Sequence, residues 1–340
     1  MKRLFLICSA ALMAAAVTTQ AQDDSHASSP HSKFYFKVAG GYFFSVSPGQ
    51  FPNVGPYPPQ DLHTEVNPVT GIADTISRKV LTGSYGEGFR VGLSFGYNIN
   101  RYMAIEGTFN YFHSSKNLMT RQLTTVVGAP SQQLGDITSH GYVYAVDFAP
   151  SLVVSPGLER VNPYVRIGVV FPLWGRLYIK TEADQLSAPP AGLPVPPGSL
   201  IATDVSRKEA VKPNITLGYQ GALGVSFRIA SHFDIFVEAE YRNVPVKSKD
   251  KDVVRYAETN TLVSAAGAPI QVVSTRSLDQ LSTAEKDTKY VTTLTQNSNT
   301  PINQIGTTVV YKNNNIPAND IKSYINIGGL GVNVGLKIRL

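Results

Sequence analysis

The chain has 340 residues, and its formal net charge of +6 comes from 30 basic and 24 acidic residues. Charged residues make up only 16% of the chain, so composition gives no support for a nucleic-acid-binding protein. Beyond the N-terminal segment no run of 18 apolar residues occurs, which argues against helical membrane spans.

Residues 1–21 predict a secretory signal peptide. The segment opens with two basic residues, continues with an apolar stretch from Leu4 to Val17, and ends in a small-residue cleavage site at Ala21. Cleavage there removes Cys8, the single cysteine, so we expect no disulfide in the mature chain. Residues 22–33 are polar and are expected to form a flexible periplasmic lead-in.

Eight later segments alternate apolar and polar residues with a period of two, which predicts β-strands with one apolar face. The opposite faces are small, glycine-rich and charged, as in strands that have lipid outside and a narrow polar lumen inside. In the fifth segment this alternation predicts Arg176 and Lys180 on the lumen face and Leu177 and Ile179 on the lipid face. The segments cover about 34–46, 85–99, 102–114, 142–154, 164–180, 218–229, 233–244 and 332–340.

The connections between these segments alternate in length. Short turns lie near Asn100, Pro156 and Ser231, whereas long loops cover about 47–84, 115–140, 181–214 and 247–322. This layout predicts an all-β fold over residues 34–340: a transmembrane antiparallel up-and-down β-barrel of eight strands with long extracellular loops.

Two strand-like pieces in the last loop leave a ten-stranded barrel open as an alternative. They are Ile270–Ser274 and Thr307–Tyr311, and both are poor in the aromatic residues of a lipid-facing belt. We therefore expect them to form extracellular hairpins.

Four sequence features carry a resemblance to a known family: the predicted signal peptide, the Gly-Gly-Tyr-Phe-Phe run at 40–44, the Gly92–Tyr97 stretch and the terminal alternating strand. On these the chain resembles the small outer-membrane β-barrels of the OmpX, opacity-protein and OmpA-barrel type. It departs from them by ending in Leu340 rather than in an aromatic residue. No periplasmic peptidoglycan-binding domain is expected after the last strand.

The resemblance implies a location in the cell outer membrane of a Gram-negative-type bacterium. The partners it implies are outer-membrane lipid and lipopolysaccharide, the barrel-assembly machinery and an unknown extracellular ligand. Nucleic acid is not expected among them.

If the apolar faces contact lipid, ten charged side chains point into the lumen. Eight strands enclose little more space than side chains fill, and a buried ion is costly unless it is paired. We therefore predict a charged network that plugs the lumen, and a narrow charged path for solutes remains the alternative. The predicted members are Lys37, Arg90, Glu106, Asp147, Arg166, Arg228, Glu238, Glu240, Arg242 and Lys337.

Catalytic constellations are weak in this sequence. The run His113-Ser114-Ser115 is compatible with a barrel enzyme acting on lipid A, and the Asp61 and His63 pair with an outer-membrane protease. Neither has a base and an orienting group at recognisable spacing. We predict a non-enzymatic protein without catalytic residues, cofactor or metal, which serves a structural or adhesion-like recognition role through its loops. A porin-like channel and a lipid A-modifying enzyme are the alternatives.

Overall fold

The computed structural model describes residues 33–340 except 47, 191, 193, 215 and 306. The predicted signal peptide and the lead-in up to residue 32 lie outside the described residues. Helical structure in the described part is limited to a short 3-10 turn at Leu278–Gln280 and an α-helix at Thr283–Lys286. No helix there has the length and apolar character that a membrane-spanning helix requires.

Eight strands form a closed antiparallel barrel. Each pairs with its neighbours in the chain, and β8 also pairs with β1, so the wall has no free edge. This confirms the predicted eight-stranded antiparallel barrel. In chain order the strands are β1 (Phe34–Phe44), β2 (Gly88–Asn98), β3 (Met103–Ser114), β4 (Ala129–Val154), β5 (Val161–Ser187), β6 (Gly218–Ala230), β7 (Phe233–Asn243) and β8 (Leu330–Arg339).

The two candidate extra strands lie outside the closed barrel. Pro269–Ser277 pairs with the strand Pro245–Val263, and Thr308–Tyr311 forms a separate hairpin with Pro301–Ile305. The ten-stranded alternative is therefore wrong.

The outer surface of the barrel is apolar and the inner surface is polar. In β2 the side chains of Phe89 and Phe95 are 66% and 52% exposed, whereas Arg90 and Ser94 are 3% and 4% exposed. Every barrel strand exposes large apolar residues in this way. A continuous apolar surface of this kind requires hydrocarbon rather than water as its solvent.

Aromatic clusters border the apolar band at both rims. At the end with short connections, the turn end, Phe34 contacts Phe95 and Tyr97. At the opposite end, the loop end, lies a larger set that we call the loop-end belt. Its members include Tyr42, Phe44, Phe89, Tyr111, Tyr142, Tyr144 and Tyr178.

The predicted facing of the upper part of β5 is wrong. A β-bulge between Pro172 and Trp174 shifts the register against β4 and adds one residue to the two-residue period. Beyond the bulge Leu177 and Ile179 are buried inside, at 4% and 3% exposure, whereas Lys180 faces out. The prediction continued the two-residue alternation through the bulge. It therefore placed Arg176, Leu177, Ile179 and Lys180 on the wrong faces of the strand.

Much of the chain predicted as long loops is hydrogen-bonded β-structure. Strands β4 and β5 continue past the loop-end belt, and Leu200–Asn214 pairs with both β5 and Pro245–Val263. We call residues 45–87, 115–141, 179–214 and 244–329 the crown. Its other strands are Gly49–Gln50, Gln60–Val66, Ala73–Val80, Thr82–Gly83, Asn117–Val126, Asp287–Val291, Ala318–Ile321 and Tyr324–Asn326.

Inside the barrel, large aromatic rings lie directly opposite glycines on neighbouring strands. Tyr164 of β5 faces Gly224 of β6 in the pairing register, and a Cβ atom on that glycine would overlap the ring. The same arrangement holds for the pairs Tyr35 and Gly96, Phe43 and Gly331, and Phe236 and Gly335. These glycines leave the space that the aromatic rings fill.

We expect Gly224→Val to destabilise the barrel by about 1–3 kcal/mol, because overpacking would displace the Tyr164 ring. Gly221→Val in the same strand is the matched control, since a Cβ there meets nothing within 4 Å. Urea midpoints in detergent, read from the mobility of unheated protein on gels, should fall only for the Gly224 variant. Equal midpoints for the two variants would contradict this packing role.

Candidate functional site

Eight of the ten predicted charged residues form one connected cluster in the lumen, the lumen network. Each of these residues is exposed by 6% or less. Four positive and four negative groups take part, so the formal charges cancel. The members are Lys37, Arg90, Arg166 and Arg242 with Glu106, Asp147, Glu238 and Glu240.

Glu106 on β3 anchors one side of the lumen network. Its carboxylate accepts hydrogen bonds from Lys37 Nζ at 3.1 Å and from the Tyr35 hydroxyl at 3.0 Å. The Nε of Arg166 lies 3.9 Å from the same carboxylate. Glu106 therefore links β1 and β5 across the barrel interior.

Arg166 on β5 is the central cation of the lumen network. It donates from Nε to Glu238 at 3.2 Å and from Nη2 to the other oxygen of that carboxylate, which is the bidentate geometry of a strong pair. Glu240 lies 3.4 Å from Arg166 Nη2. The Tyr164 hydroxyl donates to Glu238 at 3.0 Å, and Asn333 donates to Glu240 at 2.6 Å.

Asp147 on β4 anchors the other side. It accepts hydrogen bonds from Arg242 at 2.5 Å, from Asn110 at 2.8 Å and from Arg90 at 3.0 Å. The Arg90 guanidinium also lies between two aromatic rings, 4.7 Å from the Phe43 centroid and 4.5 Å from that of Phe112. Deleting one partner of such a buried pair typically costs about 3–5 kcal/mol, because the other charge stays buried without compensation.

The free space beside this network is small. A cavity of about 20 Å³ lies among Lys37, Arg90, Glu106, Arg166 and Glu238. That volume accommodates about one water molecule.

Arg228 and Lys337, the other two predicted members, lie apart from the network and nearer the turn end. Lys337 places its Nζ 4.0 Å from the Tyr35 ring centroid. Arg228 is opposite Asp234 in the register of β6 and β7, but Asp234 binds Arg339 through two nitrogens. Sequence reasoning missed this Asp234–Arg339 pair, although both residues follow the inward period of their strands.

An apolar cluster lies at the loop end of the barrel, and we call it the loop-end core. It begins at Phe112, beside Arg90 of the lumen network, and continues into the crown, where Phe51 packs on Tyr85 at 5.3 Å between ring centroids. Other members are Val54, Met119, Val143, Ala145, Ala149, Val170, Leu177, Ile179, Val211, Val244, Val246 and Ile327.

The structure separates the residues of the weak catalytic candidates. His113 stacks on Tyr144 with ring centroids 4.4 Å apart at the outer surface, whereas Ser114 is 2% exposed and accepts a hydrogen bond from the Val143 amide. His63 lies in the crown, where its Nε2 is 2.9 Å from Thr125 Oγ1. Across the described residues no group of three or more His, Cys, Asp or Glu side chains is arranged to hold a metal ion.

A buried carboxylate fastens the base of the crown. Glu209 is 1% exposed and pairs with Arg207 at 2.7 Å and with Lys251 at 3.0 Å. Burial alone would raise the pKa of Glu209, but the two adjacent cations lower it to about 2. The Glu209–Lys251 pair joins the strands Leu200–Asn214 and Pro245–Val263.

We expect the stabilisation from Glu209 to be present above about pH 4.5 and to be lost as the pH falls towards 2, because a depressed folded-state pKa favours folding only while the group is ionised in the folded state. The stability difference between wild type and Glu209→Gln should shrink from about 3 kcal/mol at pH 6 to near zero at pH 2. Urea unfolding followed by circular dichroism measures it.

Glu182→Gln is the control for this pH series. Its carboxylate pairs with Lys180 on the surface, where both side chains are more than half exposed. A difference between wild type and the Glu209 variant that stays constant from pH 6 to pH 2 would contradict the assignment.

A comparison with protein families agrees with the barrel geometry. The comparison with curated proteins gives no match. A family profile described as "Outer membrane protein beta-barrel domain" matches residues 9–267, most of the chain. This family indicates a bacterial outer membrane as the location. With its closed eight-stranded wall, apolar exterior and charged interior, the chain belongs to the outer membrane protein beta-barrel domain family.

Proposed function

We propose that the protein is a non-enzymatic outer-membrane barrel with a plugged lumen, which acts at the cell surface through recognition by its crown. The observation that carries this proposal is the filled interior. The lumen network crosses the barrel, and the loop-end core lies above it. A hydrated solute has no space in the cavity of about 20 Å³ beside the lumen network.

The crown supports the recognition half of the proposal. All eight residues of the strand Ala73–Val80 are exposed, and in the described residues it pairs on one side only, with Gln60–Val66. Pro269–Ser277 likewise pairs only with Pro245–Val263. A free strand edge can take up an extended segment of another protein by β-augmentation.

These two edge strands also display apolar side chains to solvent. Ile76 and Val80 are 53% and 56% exposed, and Ile270 and Val272 are 48% and 54% exposed. Charged neighbours such as Lys79 discourage unspecific edge pairing. A recognition role explains why the apolar groups stay uncovered.

The alternatives fit the geometry less well. A porin-like channel requires a continuous path, whereas the charged side chains here hold one another across the lumen. A lipid A-modifying enzyme requires a nucleophile beside a base. His113 and Ser114 face opposite sides of the wall, so they do not form such a pair.

In planar bilayers we expect the purified wild-type protein to give no steady ohmic steps. Arg166→Ala combined with Glu238→Ala removes one cation and one anion of the lumen network and leaves Glu106 paired with Lys37. Because the loop-end core is intact in that variant, it should also stay silent. A general porin added to the same bilayers establishes the sensitivity of the assay. Steady current steps from the wild-type protein would contradict the plugged-lumen proposal and favour the channel.

Recognition is tested by retention of cells that display the protein on plates coated with mixed serum proteins. We expect display to increase retention, and Ile76→Asp with Val272→Asp to return it to background, because charges on the free edges oppose strand addition. Val69→Asp is the control, since Val69 is 91% exposed in the turn beside the edge strand. Equal retention of all displayed forms would contradict a role for the edges. Lipid A from the same cells should have an unchanged mass.

A further inference from the structure

A slot interrupts the barrel wall where β5 changes its pairing partner. Strand β5 pairs with β6 as far as Val170, which is opposite Gly218. From Leu177, which is opposite Val211, it pairs with the strand Leu200–Asn214 instead. Between Val170 and Leu177, residues 172–176 pair with β4 along one edge of the strand. Along the other edge, which faces Val211–Asn214, no described residue pairs with them. Pro172 and Pro213 lack the N–H groups that would bridge the gap.

The slot leads from the outer surface into the loop-end core. Its volume is about 140 Å³, similar to an apolar cavity of about 150 Å³ that holds benzene. It therefore takes an apolar segment of about six carbon atoms. Its outer rim contains Leu173, Trp174 and Pro213, and its interior contains Val143, Ala145, Leu177, Val211, Val246 and Ile327.

Two cations line the same slot. Arg176 donates from Nη1 to the Gly175 carbonyl at 2.8 Å and lies 5.7 Å from the Trp174 ring centroid. Lys247 lies 5.2 Å from the ring centroid of Tyr324. Among the described residues neither has a carboxylate partner, in contrast to the four paired cations of the lumen network. Their charge is available to an anionic group.

The slot opens at the membrane interface. Arg176 is opposite Tyr144 in the register, and Tyr144 and Tyr178 belong to the loop-end belt. Amphipathic aromatic residues of this kind lie where hydrocarbon meets lipid headgroups. An amphiphile in that layer has its hydrocarbon chain at the level of the apolar slot and its head group at the level of the two cations.

We propose that this slot binds about six carbon atoms of one hydrocarbon chain of an anionic amphiphile from the surrounding membrane, with its carboxylate or phosphate head at Arg176 and Lys247. This part of the chain lies between β5 and Val211–Asn214 and reaches the loop-end core. The filled lumen below makes the slot a binding site rather than a route across the membrane. The binding is independent of whether the crown recognises a partner.

Trp174 is the single tryptophan of the chain and lies in the slot rim, so its fluorescence reports on occupancy. The probes are undecanoate and undecyl phosphate with a terminal bromine, added to protein in detergent micelles, and the neutral bromoundecanol serves as reference. We expect saturable quenching by the anionic probes. A preference between them assigns the head as carboxylate or phosphate, and either preference supports the site.

Two sets of variants separate the slot from unspecific quenching in the micelle. Ala145→Phe and, from the opposite side, Val246→Phe fill the interior and should leave only weak, linear quenching in protein whose gel mobility confirms folding. Arg176→Gln with Lys247→Gln should weaken the anionic probes at least about threefold and leave bromoundecanol unchanged. Linear quenching that is identical in wild type and filled variants, or equal affinity for the neutral and anionic probes, would overturn the proposal.

Discussion

The small interior of an eight-stranded barrel is the constraint on which the rest of this structure depends. Hydrocarbon outside admits only apolar side chains, and the period of two sends every second residue into a space that side chains alone can fill. An inward charge that is fully buried must then find an opposite charge within that space. The lumen network meets this requirement with four cations and four anions, all nearly inaccessible to solvent.

Charge pairing and aromatic packing depend on one another inside the barrel. Tyr35 and Tyr164 each donate to a carboxylate of the network, and each ring occupies the space left by a glycine on the next strand. The glycine positions thereby set where the rings stand, and the rings limit where Glu106 and Glu238 can turn. This coupling explains an interior that combines many charges with very little free volume.

The alternation of residues was sufficient to predict the eight strands and, outside the part of β5 beyond its bulge, which residues face inward. It could not predict which charges meet, because that depends on contacts across the barrel: Asp147 and Arg242 lie 95 residues apart in the chain. The alternation also could not predict the bulge beside Pro172, where one added residue reverses the facing of the side chains that follow in β5. Apart from the two hairpin pieces at 270–274 and 307–311, the strands of the crown were missed, because they alternate weakly and pair above the membrane.

Strands β4 and β5 run without interruption from the turn end into the crown, over 26 and 27 residues. A pull on the crown is therefore carried along two neighbouring covalent backbones, whose hydrogen bonds to β3 and β6 lie across the direction of the force. Those two ladders are loaded in shear, so many bonds share the tension at once. The membrane-embedded part is thereby built to resist extraction when the crown is pulled.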